Sequence, residues 1–363
     1  MGEMKWLNEW QPAFLMVGID FALAISNVLL KKVVDEGIDH LVLIAYRSSI
    51  SVVFLAPIAY FWERKSRPKL TSGIVCHLFL SAMLGATITQ YLVLLGMQNT
   101  SVTYTCAFVN VVPVITFLMA LPFGLETVDM KSKSGRAKVL GTFVCVGGAM
   151  LLSLYKGMQL ANFPESTRET ASVHTANNPV NWLTPNSKSE RWTIGTVALV
   201  ASMIVWSSWY LLQAKIGKTY PCQYSSTVIM CFFGAIQSTL LSLATNQDYS
   251  SWLLKGKVQI IAVLYTGIVG SGLSFVGMSY CVKKRGPLFT AAFGPLIQII
   301  VAIFDFSILH GQLHLGSVLG SILVIAGLYI LLWGKNKEAK ACVTKQVEAT
   351  EDHDEEEQAM SRA

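Results

Sequence analysis

Ten runs of about 20 mostly apolar residues, set apart by short polar connections, constrain this chain more than any other feature. They fall at roughly 12–30, 40–61, 73–97, 101–122, 139–155, 194–212, 226–244, 258–281, 287–309 and 316–333. A hydrocarbon layer about 30 Å thick takes about 20 residues of α-helix at roughly 1.5 Å each. Inside it the backbone has no water to bond, so each run must be a helix that satisfies its own amides. Composition agrees: 53% of the 363 residues are hydrophobic and 14% charged, whereas a soluble domain carries about 25% charged residues. The class is an all-α integral membrane protein, with the lipid bilayer as its first partner.

The connections predict orientation. The net charge of +6 does not lie along one basic face, so it gives no reason to expect a nucleic-acid partner. Alternate connections hold Arg64, Lys65, Arg67 and Lys69; Lys131, Lys133, Arg136 and Lys138; Lys215 and Lys218; and Lys283, Lys284 and Arg285, and the tail adds Lys335, Lys337 and Lys340. The other connections hold Lys31, Lys32, Lys255 and Lys257, charges scattered between Lys156 and Arg191, and none at 98–100 or 310–315. Lys and Arg concentrate in short cytosolic loops, so both termini are expected in the cytosol. The first run is expected to be retained rather than cleaved, because it is long, carries Asp20 and is followed by Lys31 and Lys32. Residues 158–192, rich in Ser, Thr, Asn and Pro, read as a mobile external loop, and 336–363, with "EDHDEEE", as a disordered cytosolic tail. The seven cysteines offer no pair on the oxidising side, and there is no CxxC, HExxH or His/Cys cluster. Neither disulfides nor a metal or other cofactor is expected. The sequon at Asn99 sits in a turn against the membrane, which argues against glycosylation.

One apolar segment is written twice. "GRAKVLGTFVCVGGAMLLSLYKG" (135–157) and "LGSVLGSILVIAGLYILLWGK" (315–335) match Gly141 with Gly320, Gly148 with Gly327 and Lys156 with Lys335. "LLGM" (94–97) resembles "FVGM" (275–278), and Pro113 matches Pro295. Five spans per copy is an odd number, so the second copy enters the membrane from the opposite side and the repeats are inverted. The expected organisation is a cytosolic segment 1–11, a five-helix repeat 12–157, the external loop 158–192, a second five-helix repeat 193–335, and the tail 336–363. Inverted repeats are a transporter architecture, in which two bundles rock about a midplane site. A channel-like pore or a non-transporting membrane scaffold stays open as the alternative.

Polar residues at membrane depth mark candidate solute contacts, since burying them costs free energy. Asp20, Asn110, Gln237 and Gln298 fall near span midpoints, and Gln90 lies somewhat nearer the outside. Each Asn or Gln has the plainer reading of a hydrogen bond between helices, worth about 0.6 kcal/mol. Asp20 must be paired, protonated or solvated. Pro113 and Pro295 each delete one backbone hydrogen bond, which lipid tolerates only where protein or a cavity re-satisfies the carbonyl. Arg47, about 10 Å deep by a rise of roughly 1.5 Å per residue, lies at a similar depth to Asp305. The two are expected to form a buried ion pair; the alternative is that Arg47 meets a substrate carboxylate. Trp206 and Trp209 share one face of their helix, as an interfacial belt or as an aromatic wall for a solute. Gly267, Gly270, Gly272 and Gly277, and the Gly316/Gly320 spacing, favour close helix packing.

Several segments carry a resemblance: "YR" (46–47), "APIAYFWER" (56–64), "NVVPVITFLMA" (110–120), "AKVLGTFVCVGGAMLLSLYKG" (137–157), "WSSWYLLQ" (206–213), "YTGIVGSG" (265–272), "KRGPLFTAAFGPL" (284–296) and "LHLGSVLG" (313–320). In this order, from about residue 12 to 335, they resemble the plant drug/metabolite exporters. These are the nodulin-21-like or "walls are thin"-related EamA proteins, also called UMAMITs. The resemblance implies the drug/metabolite transporter fold of two inverted EamA-like repeats. It also implies export or bidirectional movement of amino acids, auxin or related organic acids across the plasma membrane or tonoplast. The chain departs from that pattern at Gln312, where the family has a glutamate, and at Met278 and Tyr280, where it has Gln and Trp; Glu126 is retained. The reading is a secondary transporter of small organic solutes, with protons as the candidate coupling ion, and not an enzyme, because no nucleophile–base pair or metal set is present.

Overall fold

The computed structural model describes residues 2–35, 38–100, 108–126, 131–155, 159–161, 185–245, 252, 254, 256–308, 313–316 and 318–338. The described chain is helical apart from one short ladder. Helix α1 is Gly2–Asp35 and α2 is His40–Glu63. Helix α3 covers 72–99, with a π-helical stretch Met83–Ile88 between Ser72–Ala82 and Thr89–Asn99. Helix α4 is Val112–Ala120, α5 is Lys133–Leu154, α6 is Pro185–Thr219 and α7 is Gln223–Thr245. Helix α8, Lys257–Arg285, contains a second π-helical stretch, Thr266–Leu273. Helix α9 covers 287–308 in two pieces, Pro287–Ala292 and Gly294–Ile308, and α10 is Val318–Glu338. Seven of these, α1, α2, α3, α6, α7, α8 and α10, contain stretches long and apolar enough to cross a membrane.

Three expectations about the connections and the tail need correction. Residues 336–338, read as the start of a disordered tail, end α10 and carry Glu338, which pairs with Lys138. Residues 185–192, read as loop, form the first turns of α6. Gln159–Ala161 (β1), also read as loop, pairs antiparallel with Leu313–His314 (β2). A two-stranded ladder has no hydrophobic period of its own, so nothing in the local pattern announces it.

The polarity of the bundle is inverted relative to a soluble protein. On α7, Gly234, Ser238 and Ser242 are buried, while Phe232, Ile236, Leu240 and Leu243 face outward. That is the distribution a lipid solvent selects: the apolar face meets acyl chains, and small or hydroxyl residues let helices approach. The buried hydroxyls bond their own helix, as Ser238 does to the Gly234 carbonyl at 2.6 Å. Each π-helical stretch is followed by a hydroxyl that bonds five residues back, Thr89 to the Leu84 carbonyl at 2.6 Å and Ser274 to Val269 at 2.7 Å. The wider turn leaves a carbonyl over, and a side chain satisfies it.

Helix α2 lies along α7, α6 packs on α3 and α4, and α1 packs on α8 and α9. Helices α5 and α10 meet glycine to glycine: a Cβ on Gly141 would lie 2.8 Å from the Gly327 carbonyl, and one on Gly148 2.9 Å from that of Gly320. Trp10, in the N-terminal third of α1, and Asn336, near the end of α10, line one crevice, so these two parts of the chain lie on one face.

Candidate functional site

Helices α4 and α9 break where sequence placed prolines. Asn110 and Val111 form a turn, and α4 starts with Pro113 in its first turn; Phe293 is a turn residue, and the second piece of α9 starts with Gly294 and Pro295. A proline in the first turn gives up no helical hydrogen bond, because that N–H has no partner there anyway. Pro113 and Pro295 therefore restart helices rather than kink continuous ones. At the second break the Cys145 thiol lies 3.8 Å from the freed Ala292 carbonyl. At the first, Asn110 is fully buried, and its Nδ2 donates to the Ala149 carbonyl at 3.2 Å and to Gln298 Oε1 at 3.0 Å. Residues 188 positions apart thus join the two breaks.

Beside this junction lies an aromatic cluster. Trp206 and Trp209 stand 5.4 Å apart between centroids, Tyr210 is 5.1 Å from Trp209, and Phe275 is 5.4 Å from it. Trp209 is fully buried, which overturns the interfacial-belt reading for it. Its indole lies over Gly85 of the first π-helical stretch, where a Cβ would come within 2.5 Å of the ring. Its Nε1 donates to Ser81 at 3.1 Å, Gln213 donates to the same hydroxyl at 2.8 Å, and Ser279 donates to Gln213 at 3.4 Å. Thr116 and Ser207 add a buried bond of 3.1 Å between α4 and α6. Ser81, Gln213 and Ser279 escape a reading by sequence, since a serine satisfied within its own helix and one that bridges helices look alike there.

Asp20 is buried on α1, and its Oδ2 has no hydrogen-bond partner among the described residues. Gln237 is taken up by α3: Thr87 donates to it at 3.0 Å, and it donates to the Phe79 carbonyl at 3.4 Å. Gln90 is half-buried and makes no hydrogen bond among the described residues. Arg47 donates from Nε to Ser271 in the second π-helical stretch at 3.2 Å, next to Gly270, which packs on Ser26. The side chain of Asp305, its expected partner, lies outside the described residues, as does Gln312.

In the sequence, the basic residues at the chain-end face read as topology signals. The structure gathers them. Glu126, almost wholly buried, pairs with Lys335 and lies 3.6 Å from Lys138. Lys138 pairs with Glu338 at 2.6 Å, Lys335 donates to the Arg285 carbonyl at 2.9 Å, and Arg285 donates to Asn336 at 2.9 Å. Gly286, at φ +89°, passes so close that a Cβ would sit 3.1 Å from Glu126. On the same face Glu63 accepts from the Tyr224 and Ser225 amides at 3.1 and 2.7 Å and so caps α7. In the adjoining turn, burial raises the Tyr220 hydroxyl and the Cys222 thiol above their ordinary values, so both stay neutral.

Among the described residues the inward surface therefore offers amide, hydroxyl and indole groups, the Asp20 carboxylate and the Arg47 guanidinium. Among the described residues no group of three or more His, Cys, Asp or Glu could hold a metal ion. One family model, described as the EamA-like transporter family, matches twice, at residues 10–154 and 193–333. The chain belongs to the EamA-like transporter family. Two WAT1-related proteins of Arabidopsis thaliana are 49% and 48% identical to it, over 93% and 90% of this chain and 90% and 87% of theirs. A solved crystal structure shares the fold, with a TM-score of 0.64 at 12% identity, covering 89% of this chain and 96% of the other. The protein is a multi-pass membrane transporter of small solutes and not an enzyme.

Proposed function

We propose that this EamA-like protein is a secondary carrier, an exporter or bidirectional facilitator, of small amphipathic solutes of the amino-acid class. It works by alternating access at a midplane site between α4 and α9. Ten spans arranged as two inverted five-helix repeats build it, with both termini in the cytosol of a plasma-membrane protein. Contact symmetry supports the inversion: if Gly141 corresponds to Gly320 and Gly148 to Gly327, the contact of Gly141 with Gly327 becomes that of Gly320 with Gly148, and both occur. The paired π-helical stretches of α3 and α8 support it too.

The observation that carries the reading is the hydrogen bond between Asn110 and Gln298 at the two helix breaks. Neutral amides suit a zwitterion, whose charges need hydrogen-bonding partners without a strong net field. Trp206 lines the approach for its apolar part, and the Asp20 carboxylate is the group through which protons would couple. Replacing Asn110 or Gln298 by Ala weakens apparent affinity several-fold in proteoliposome uptake, in line with about 1–3 kcal/mol for a bond to a charged group. Saturable flux with counter-exchange accompanies it. Unchanged affinity in both variants, with loss on Trp206→Ala and Trp209→Ala, moves the site toward the chain-end vestibule. Flux that never saturates makes the protein a pore.

A further inference from the structure

The glycine seam between α5 and α10 has a consequence on the lipid side. Gly334 sits so close to α5 that a Cβ would lie 2.9 Å from the Ser134 carbonyl. With the two backbones this near, longer side chains on either side of the seam diverge. They leave a groove of about 850 Å³ lined by Lys133, Arg136 and Leu140 of α5 and Tyr329 and Trp333 of α10. Leu140, Tyr329 and Trp333 are 57%, 64% and 44% exposed, so the groove opens outward rather than into the bundle. Its composition is graded along the helices. Lys133 and Arg136 stand at the chain-end face, each exposed and with no ion pair among the described residues. Leu140 and Tyr329 lie one to two turns deeper, and Lys337 sits over the Trp333 ring at 5.1 Å.

We propose that this groove is a binding site for an anionic phospholipid, with the phosphate held by Lys133 and Arg136 and an acyl chain laid along Leu140 and Tyr329. The chemistry commits to lipid rather than to a soluble anion. A phosphate alone would use the two cations and leave the apolar wall uncovered, and a hydrocarbon chain alone would leave the cations idle. A basic side chain near an anionic membrane surface attracts it, and aromatic rings settle at headgroup level. The neighbouring Lys138 is taken by Glu126 and Glu338 inside the bundle, which leaves Lys133 and Arg136 as the outward cations of this helix turn. The proposal rests on the reading that this end faces the cytosol, where anionic lipids concentrate. Bound there, the lipid would brace the seam that joins the two halves.

The test is native mass spectrometry of the full-length protein released from micelles containing phosphatidylserine or phosphatidylcholine. The parent retains phosphatidylserine over phosphatidylcholine, and K133Q/R136Q loses at least tenfold of that retention. K133R/R136K keeps it, as does K215Q/K218Q, which removes two exposed cations elsewhere. Equal retention of phosphatidylserine by K133Q/R136Q, or of phosphatidylcholine by the parent, overturns the proposal. Displacement by soluble glycerophosphoserine at the lipid's own concentration also overturns it, by making the site a free-anion site. The measurement needs no transport, so a protein that binds the lipid and moves no amino acid refutes the proposed function and not this site.

Discussion

Replacing Glu126 by Gln removes the carboxylate at the centre of the charge cluster and leaves its shape. The side chain is 4% exposed, and those of Lys138 and Lys335 are 1% and 10% exposed. Removing one partner of a buried ion pair typically costs about 3–5 kcal/mol, because the other charge is left without compensation. Here Lys138 keeps Glu338 at 2.6 Å and Lys335 keeps the Arg285 carbonyl at 2.9 Å. The cost then falls at the lower end, about 3 kcal/mol. Glu126 and Lys138 lie in the first family match, Arg285 in the second and Lys335 just beyond it, so under the proposed alternating access the cluster parts when this face opens. The penalty falls on the closed state, and at roughly 1.4 kcal/mol per tenfold it raises the open population by up to about 100-fold. Cys281 reports this: it is fully buried between α8 and α1, 3.5 Å from the Pro12 carbonyl. In a variant whose other six cysteines are replaced by Ser, maleimide labelling followed by intact mass gives the opening rate. The expected result is a large rise for Glu126→Gln and recovery in Glu126→Leu with Lys335→Met, since an apolar pair can replace a buried ion pair at little cost. If Glu126→Gln lowers the melting temperature while Cys281 labels at the parent's rate, the cluster is a stability element and the reasoning about opening is wrong.

Three further outcomes are expected. Asp20→Asn abolishes the acceleration of uptake by a pH gradient while exchange persists; equal gradient dependence in mutant and parent assigns Asp20 a structural role. Gly327→Leu prevents stable expression, because even a Cβ there meets the Cys145 backbone, which cannot yield, whereas Gly147→Ala, with nothing within 4 Å, leaves the melting temperature within about 1 °C. Tags at residue 2 and after residue 363 are protected from external protease in intact cells while a site inserted near Asn177 is cut; cleavage of the C-terminal tag overturns the ten-span topology.

Sequence alone determined the solvent of this protein and much of its plan. Hydropathy registers a bilayer directly, since about 20 apolar residues are needed wherever a helix crosses, and seven such helices stand where runs were read. The recurrence of Gly141 and Gly148 at Gly320 and Gly327 survived because glycine-to-glycine contact tolerates no side chain. Asn110 and Gln298, picked out by depth, do meet. Tertiary structure decided the partners. An amide at membrane depth needs a hydrogen bond but does not say with whom, so Gln237 went to Thr87 and Arg47 to Ser271 by the way α2, α3, α7 and α8 lie together. The position of Trp209 along α6 leaves an interfacial belt and an aromatic wall equally open, and the gap left by Gly85 takes it into the core. Glu126 and Lys138 lie in the first half of the chain and Lys335 and Glu338 near the end of α10, so no local pattern joins the two sets. Their pairing depends on α5 and α10 lying backbone to backbone, which brings the start of α5 beside the end of α10.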